Sequence, residues 1–474
     1  MRPPAPDHAP DPARAEPAAL TPARRVLVFA IVSLALLMMS IDSTIVATAL
    51  HELQQDLDTS VHWAGWTLTA YAFGFVLMLP ISGRLCERWG RRRVFLGSVA
   101  LFTLASLACG LTSDIATLVL LRALQAAGGA GFTPSATGIV VAHFGAARDR
   151  AVGLFGSIFP IGAMIGPLFG GLFVEYWSWR GVFFVNLPIG LTVALLALRF
   201  IPRDPPRRAA PARATDGVGL ALLAATLLAG MLAASFLGKP HASLGGAALA
   251  ALALASLACG ALFLRHVERA SAPFIAPQLI HGPGFGVVNL MNMVYGGVCI
   301  GAVVLLPLYA STRYQMDALA AGSLLIVQGG AAIALSLAAT ALLRRTGYRL
   351  PLYLGGGISA LGMLLVAIAP PWGLAPHAWL AGGALLIGVG SGTVNPASRN
   401  AGLQLAPEQS AAIAGLRSLC FQVGTIAVVS VATALLANAP DPGARQAWVY
   451  LAVAALLLAA LPLVARVPEH HGAW

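Results

Sequence analysis

Long apolar segments separated by short polar ones run through almost the whole chain. A helix that crosses the hydrocarbon layer of a bilayer, about 30 Å thick, needs about 20 apolar residues. Fourteen stretches of adequate length lie between clusters of charge, proline and glycine. The pattern predicts an all-α membrane protein with fourteen transmembrane helices, at residues 26–50, 63–83, 94–112, 115–144, 151–174, 181–201, 217–237, 243–265, 285–311, 318–343, 350–369, 377–398, 409–437 and 446–466.

Composition supports a lipid environment. The chain is 58% hydrophobic and 10% charged, with a mean hydropathy of +0.81, which leaves too few charges to cover a soluble surface. A net charge of +11 would suggest nucleic acid in a soluble protein, but membrane proteins carry positive charge in cytoplasmic loops. We therefore expect a lipid bilayer and no nucleic acid as partner. The five cysteines lack pairing or metal-ligand spacing, so we expect thiols and no metal.

The basic residues give the chain an orientation. With the N-terminus inside, 23 of the 29 Lys and Arg residues fall on that side, four fall on the other side, and two lie within spans. Cytoplasmic loops carry an excess of Lys and Arg, and one missed helix near the middle would destroy this asymmetry. The distribution predicts a multi-pass protein of the cell (inner) membrane with both termini in the cytoplasm.

The spans divide into two similar halves. We expect a disordered cytoplasmic tail at residues 1–24 and a six-helix bundle at 25–201. A basic linker with two extra helices follows at 202–283, and a second six-helix bundle with a short tail at 284–474. Arg88-x-Gly90-x-Arg92 in the first half aligns with Arg345-x-Gly347-x-Arg349 in the second. Parallel halves of this kind are typical of transporters that work by alternating access.

The first of these loops carries a recognisable motif. The segment GRLCERWGRRR, residues 83–93, resembles the signature loop of the major facilitator superfamily. It departs from that pattern at Glu87, where the family usually has Asp. The resemblance implies that the loop is a cytoplasmic gate that holds the two halves together, through Gly83, Glu87, Arg88, Gly90, Arg91 and Arg92.

Further motifs narrow the resemblance to one branch of the family. GAMIGPLFGG (162–171) resembles the antiporter motif of the fifth helix, and LRALQAAGGAG (121–131) the arginine motif of the fourth. IDSTIVATAL (41–50) and WRGVFFVNLPIG (179–190) resemble the fourteen-helix drug:proton antiporters. The resemblance implies two six-helix bundles plus two central helices. It also implies proton-driven export of small hydrophobic molecules, no cofactor, and a monomer as the transport unit.

Three charged residues lie well inside spans: Asp42, Arg122 and Arg417. A charge at the bilayer centre costs about 2.5 to 3.5 kcal/mol on insertion scales, so each is a functional candidate. At 1.5 Å per residue, Asp42 and Arg122 both lie about 12 Å below the outer surface, which permits an ion pair. That pair is either static packing or a proton switch, in which burial favours neutral Asp42, Arg122 favours the carboxylate, and rocking alters the balance.

The glycines of the antiporter motif recur at helical spacing. Gly162, Gly166 and Gly170 are four residues apart, which puts them on one face of the fifth helix, and Pro167 removes a backbone hydrogen bond. Gly171 completes the motif. The pattern predicts close small-residue packing, and the resemblance adds that this packing lets the halves slide or open while excluding water.

Residues for a binding cavity are harder to select. Aromatic rings and amides suit apolar molecules or cations with aromatic groups. The asparagines in VNLP and VNP either line the cavity or satisfy backbone groups freed by the proline. Arg417 either binds cargo or extends towards the cytoplasm. The candidates are Trp66, Tyr71, Phe155, Phe159, Asn186, Asn289, Asn292, Tyr295, Gln328, Asn395 and Arg417.

Other functions are less well supported by the sequence. There is no phosphate-binding G-x4-G-K-[ST] loop of a primary pump, and no HExxH or G-x-S-x-G motif of an enzyme. A symporter of the same fold and an exporter of a metabolite or siderophore stay open, as does a membrane sensor. The sequence does not identify the substrate.

Overall fold

The computed structural model describes residues 21–59, 61–204, 216–236, 243–271, 273, 275–316, 318–371, 373–437 and 439–470. Within these ranges the regular secondary structure is helical, without strands. The helices are α1 (Pro22–Thr48), α2 (Leu50–Asp56), α3 (Val61–Trp89), α4 (Arg91–Leu111), α5 (Ile115–Ala130), α6 (Phe132–His143), α7 (Arg148–Tyr176), α8 (Gly181–Phe184), α9 (Asn186–Phe200), α10 (Gly217–Phe236), α11 (Ser243–Arg269), α12 (Pro277–His281), α13 (Phe285–Met291), α14 (Cys299–Val304), α15 (Leu306–Tyr314), α16 (Ala318–Thr346), α17 (Arg349–Ala367), α18 (Pro376–Leu405), α19 (Ser410–Ala437) and α20 (Pro442–Ala460). A π-helical segment, Asn292–Val298, joins α13 to α14.

The predicted all-α membrane protein is confirmed, but the predicted count of fourteen spans is not supported. Twelve helical segments of the described chain are long and apolar enough to cross a membrane. Helix α7 is not among them, and α10 contributes a shorter apolar segment, Gly217–Ala233. The sequence predicts a tail at residues 1–24. Residues 1–20 lie outside the described part of the chain, and α1 begins at Pro22, so residues 22–24 of the predicted tail are helical.

The hydrophobic core has two main parts. One lies mainly in the first half, α1–α9, and the other in the second half, α12–α20. Helices α3, α6 and α7 of the first half pack against α16, α18 and α19 of the second, along a surface here called the seam. Helices α10 and α11 pack against each other, and α10 also contacts α3 and α19. The two extra helices therefore lie beside the seam.

An acidic residue caps the third long helix of the first half. Gly90 has a φ of +93°, a conformation that favours glycine and turns the chain into α4. The first backbone N–H groups of α4 then donate to the carboxylate of Asp204, at 2.9 Å from Arg91 and 3.1 Å from Arg92. A helix N-terminus attracts negative charge, so this contact is stabilising. Asp204 follows α9, and the contact therefore links the start of α4 to the residues after α9.

The second half repeats the same arrangement. Gly347 has a φ of +67°, and the backbone N–H groups of Tyr348 and Arg349 donate to the carboxylate of Glu469, at 2.6 and 3.2 Å. Glu469 follows the last helix of its half, as Asp204 does in the first. The aligned loops predicted from the sequence therefore have the same local geometry, which supports the internal repeat.

Removing either cap should weaken its own half. We expect Asp204→Ala and Glu469→Ala each to lower the free energy of unfolding by about 1 kcal/mol, because two backbone donors lose a charged acceptor. The measurement is thermal unfolding of the purified protein, with Glu408→Ala, an exposed acid, as control. A loss no larger than that of the control would show that the two carboxylates do not stabilise the loops.

Candidate functional site

The two buried charges of the first half meet each other. Asp42 lies on α1 and Arg122 on α5, and both side chains are 0% exposed. The guanidinium Nη1 of Arg122 donates to Oδ2 of Asp42 at 2.9 Å. The ion pair that their equal depth permits is therefore formed. A buried pair of this kind is expensive to break, because either partner alone is an uncompensated charge in a medium of low dielectric constant.

Three polar residues complete the shell around the carboxylate. Oδ1 of Asp42 accepts from the amides of Gln125 and Asn186, both at 2.8 Å. Both amides also donate to the hydroxyl of Ser106 at 3.0 Å. With Arg122, Asp42 therefore accepts three hydrogen bonds from side chains on two helices, α5 and α9. Three of the about four acceptor sites of the carboxylate are therefore used.

The cation is less completely satisfied than the carboxylate. Its Nη1 also donates to Oε1 of Gln125 at 2.6 Å, and the ring of Tyr71 on α3 lies 4.1 Å from its central carbon. The remaining nitrogens of Arg122, Nε and Nη2, have no hydrogen-bond partner among the described residues, and neither does the Tyr71 hydroxyl. A cation–π contact offsets part of this loss.

The site holds one carboxylate, that of Asp42, opposite one guanidinium, that of Arg122. A proton added to Asp42 neutralises the carboxylate, removes the counterion of Arg122 and turns one acceptor into a donor. Arg122 then needs another acceptor or water. Groups of three or more His, Cys, Asp or Glu residues that could hold a metal are absent from the described part of the chain.

The segment WRGVFFVNLPIG makes hydrogen bonds at two places, at the ion-pair site and at the end of the bundle where α2 lies. Asn186, predicted for a substrate cavity, is buried and binds Asp42 instead. Before it, Arg180 and the ring N–H of Trp179 donate to the carboxylate of Asp56, the latter at 2.9 Å. These hydrogen bonds, Arg180 first, lower the pKa of Asp56. The segment thus ties α2 to α8 and presents Asn186 to the ion pair.

The glycine motif of α7 faces α1 within the same half. An added Cβ would lie 2.3 Å from the Ser40 hydroxyl at Gly162, 1.9 Å from the Thr44 hydroxyl at Gly166 and 2.0 Å from the Thr48 hydroxyl at Gly170. The interface predicted to slide is therefore not between the halves. The interface between α7 and α1 lies close to Asp42, because Ser40 and Thr44 are each two residues from Asp42 in α1. Gly171 faces open space, and Pro167 lies within α7.

A side chain at the middle of this motif should overpack the interface. We expect Gly166→Ala to destabilise the protein by about 1–3 kcal/mol, because its Cβ has no room beside Thr44. Thr44→Ala should restore most of that loss, since it removes the hydroxyl in the way. Thermal unfolding of the two single variants and the double variant measures the coupling. Equal melting temperatures for Gly166→Ala and Gly171→Ala would contradict the close approach.

Of the residues predicted to form the cytoplasmic gate, Gly83 lies where the halves touch. An added Cβ at Gly83 would be 2.8 Å from Cα of Ala412 in α19. Nη1 of Arg91 donates to the Gly138 carbonyl at 2.8 Å, within the first half. This end of the bundle, which carries loops 84–93 and 344–349, is here called the arginine-rich end. Glu87 is half-buried and Arg88 is exposed. The helix N-terminus beside the loop is capped by Asp204, which the sequence did not suggest.

Several predicted cavity residues are instead used in packing. Phe155 is fully buried and stacks on Phe29, with ring centroids 5.5 Å apart. Tyr295 is buried in the second core and donates to the Leu457 carbonyl at 2.9 Å. Asn289 donates to the Leu279 carbonyl at 2.8 Å, which joins α12 to α13. These side chains are committed to holding helices together.

The other candidates have mixed surroundings. Asn292 is buried and donates to the Val288 carbonyl at 2.9 Å. Gln328, also buried, reaches the Ser391 hydroxyl at 3.4 Å between α16 and α18. Trp66 and Phe159 are half-buried. Tyr71 belongs to the ion-pair site, as described above.

Asn395 and Arg417 do come together, with a third residue that the sequence did not suggest. Nε of Arg399 donates to Oδ1 of Asn395 at 2.7 Å, and Nη2 of Arg417 reaches the same oxygen at 3.4 Å. The predicted topology placed Arg399 in a cytoplasmic loop, but it lies inside α18 and is 7% exposed. Gln125 was also missed, although it lies one helical turn after Arg122, on the same face.

Comparison with known families agrees with this architecture. The family model described as Major Facilitator Superfamily matches residues 32–429. A multidrug resistance protein B homolog of Mycobacterium tuberculosis is 31% identical over 413 residues, covering 85% of this chain and 74% of the relative. A methylenomycin A resistance protein of Streptomyces coelicolor is 29% identical over 447 residues, covering 92% and 91%.

Two further comparisons concern the length of a relative and the fold. This chain spans about half the length, 53%, of an uncharacterized MFS-type transporter of Mycobacterium tuberculosis to which it is 29% identical, with 78% of this chain covered. The crystal structure of the human organic anion transporter MFSD10 superposes with a TM-score of 0.65 at 17% identity, covering 94% of this chain and 100% of that one. At this identity the likeness shows the fold alone.

Proposed function

We propose, from the premise that this chain belongs to the major facilitator superfamily, that it exports small, largely hydrophobic molecules in exchange for protons. The observation that carries the proposal is the buried pair of Asp42 and Arg122, held by amides in the interior of one half. Relatives named for multidrug and methylenomycin A resistance support drug or antibiotic efflux. No cofactor is required, since the proton gradient supplies the energy.

Protonation of Asp42 is the proposed coupling step. In the arrangement described, the carboxylate compensates Arg122, and the pair excludes water. When a proton neutralises Asp42, Arg122 becomes an uncompensated buried charge, a state that costs several kcal/mol. Hydration of Arg122 relieves that cost, so the protonated site favours a conformation in which water reaches it. Release of the proton restores the dry pair.

Helix α3 connects this site to the seam. On one side, an added Cβ at Gly74 would be 2.3 Å from the Ala123 carbonyl oxygen, next to Arg122. On the other side, an added Cβ at Gly415 of α19 would be 2.6 Å from the Leu79 carbonyl oxygen. A shift of Arg122 that moves α5 therefore also moves α3 against the second half. Close-packed surfaces of this kind change between discrete arrangements.

The proposed topology has fourteen spans and both termini in the cytoplasm. It adds α7 and α10 to the twelve segments counted above. Helix α7 runs for 29 residues and α10 for 20, each long enough for a bilayer about 30 Å thick. Cytoplasmic and periplasmic reporters fused after residues 204 and 271 test the proposal. Both positions should report the cytoplasm, and reporters on opposite sides would refute an even number of spans between them.

Transport by the full chain in proteoliposomes tests the function. An imposed proton gradient should drive a compound such as methylenomycin A in the direction opposite to proton flow, with the internal pH followed by a trapped dye. Movement of compound and protons in the same direction would mark a symporter instead. If none of a panel of antibiotics, siderophores and metabolites produces proton movement, the result would favour a sensor. We propose a monomer as the transport unit.

A further inference from the structure

We propose that Arg399 and Arg417 form an anion-binding site in the seam, and that a bound anion stabilises closure of the arginine-rich end. The proposal rests on the proposed function in one respect, since it assumes that the two halves open and close. It adds a ligand class, a small anion or the carboxylate of an acidic cargo molecule. Its two arginines belong to the second half, whereas the proton site lies within the first.

The two guanidinium groups are brought together by one shared acceptor. Oδ1 of Asn395 accepts from Nε of Arg399 at 2.7 Å and from Nη2 of Arg417 at 3.4 Å. Arg417 also reaches the hydroxyl of Ser398 at 3.5 Å. These acceptors are neutral. An amide oxygen shared by two cations satisfies part of their hydrogen-bonding capacity but none of their charge.

Within the described ranges, no acidic side chain pairs with either arginine. Ion pairs found in the described ranges involve neither Arg399 nor Arg417. The sequence has no Asp or Glu from residue 318 to 407. Arg399 is 7% exposed, and the Nε of Arg417 is buried without a hydrogen-bond partner in the described part of the chain. Two like charges in a buried site repel each other, and no ion pair with a described side chain offsets that repulsion.

A small cavity lies beside the two arginines. Its lining also includes Thr133 and Thr137 of α6 and Val152 of α7, all from the first half. Its volume is about 10 Å³, which is about the space of one water molecule. An anion there would lie among residues of both halves, the two arginines from the second and the two threonines from the first. Such a ligand bridges the seam, because its contacts come from both halves.

The chemistry of this site selects for negative charge and small size. Guanidinium groups bind carboxylates and other anions through charge-assisted hydrogen bonds. When the seam opens, water hydrates both arginines and the repulsion is screened. When it closes, the anion replaces that water. An acidic cargo molecule that enters from the arginine-rich end would therefore assist the closure that traps it, and chloride would act in the same way without being transported.

A native thiol reports the state of the seam. Cys86, in the last turn of α3, is 1% exposed and packs beside Ala411 of α19, across the seam. The experiment measures the rate at which N-ethylmaleimide alkylates Cys86 in the full chain in nanodiscs, with the labelled peptide quantified by mass spectrometry. Opening exposes the thiol, so a slower reaction means a more closed arginine-rich end.

Four solutes of equal concentration separate the possibilities. Sodium isethionate, whose sulfonate head group is larger than a chloride ion or a carboxylate, sets the baseline. We expect sodium chloride or sodium benzoate to slow alkylation about fivefold, and benzamide, the neutral analogue of benzoate, to leave the rate unchanged. An effect of chloride alone identifies an inorganic ion, and an effect of benzoate alone identifies a cargo carboxylate. Equal rates in all four solutes would overturn the proposal.

Variants assign the effect to the arginine pair. Arg399→Gln and Arg417→Gln should each remove the dependence on anions, while Arg445→Gln at the opposite end keeps it. Arg417→Lys preserves the charge and should retain part of the response. An undiminished response in both glutamine variants would overturn the site, and unchanged melting temperatures establish that they fold. Proton-driven transport is a separate readout, so a failed anion response with active pumping refutes this site and leaves the proposed function standing.

Discussion

Replacing Asp42 by asparagine is expected to abolish proton-driven export, with a loss of at least about 100-fold in the rate of uphill transport. The amide keeps the size of the side chain and can still accept from Arg122, Gln125 or Asn186, but it cannot take up a proton. The variant should resemble the protonated site, in which hydration relieves the uncompensated charge of Arg122, so the first half should stay folded. Exchange of labelled for unlabelled cargo, which needs no net proton movement, should continue in this variant.

The measurement compares uphill transport and exchange in the same proteoliposomes. Asp114→Asn is the matched control, because Asp114 is an exposed cap of α5 rather than part of the buried site. Its pKa is lowered by hydrogen bonds from Thr117, so it stays charged through the pH range of the assay. If Asp42→Asn pumps as well as the control variant, the proton is carried elsewhere and the proposed coupling is wrong.

Replacing Arg122 by glutamine should have the second large effect, this time on stability. Asp42 would then be a buried carboxylate without its cation, a change that costs about 3–5 kcal/mol. Adding Asp42→Asn removes the uncompensated charge and should restore most of the stability, because two amides can bond to each other in the same space. Chemical unfolding of the single and double variants gives the coupling energy.

The double variant also separates a static ion pair from a proton switch. If the pair only fixes the packing of α1 against α5, Asp42→Asn with Arg122→Gln should recover both stability and uphill transport. If the pair carries the proton, stability returns and uphill transport does not. Recovery of both properties would therefore contradict the proposed mechanism, even though the geometry of the site would be unchanged.

The contrast between Asp42 and Phe155 shows which site residues could be predicted. Asp42 was identified because a charge inside an apolar span is costly, and that cost is visible in the sequence. Phe155 could not be assigned in the same way, since an aromatic residue suits a cavity, a helix interface and lipid equally well. It stacks on Phe29 in the core. Polar residues in spans, such as Asn289 and Asn292, bond mainly to backbone carbonyls.

Arg399 shows a different limit. Its position beside a predicted helix end agrees with the charge bias of cytoplasmic loops, so no feature of the sequence places it inside the protein. Helix α18 continues to Leu405, which carries Arg399 into the seam. The boundary of a helix depends on what its last turns pack against. Because α18 is a few residues longer than the predicted span, Arg399 is buried in the seam instead of lying in a cytoplasmic loop.

The sequence by itself determined the helical membrane architecture, the repeated loops and the common depth of Asp42 and Arg122, because hydropathy, motif spacing and a rise of 1.5 Å per residue are properties of the chain alone. The tertiary structure decided which faces meet. It turned the α7 glycines towards α1, brought Gln125 and Asn186 to the carboxylate, and placed two arginines together in the seam. Rotation of a helix about its axis depends on close packing with its neighbours, and no single segment contains that information.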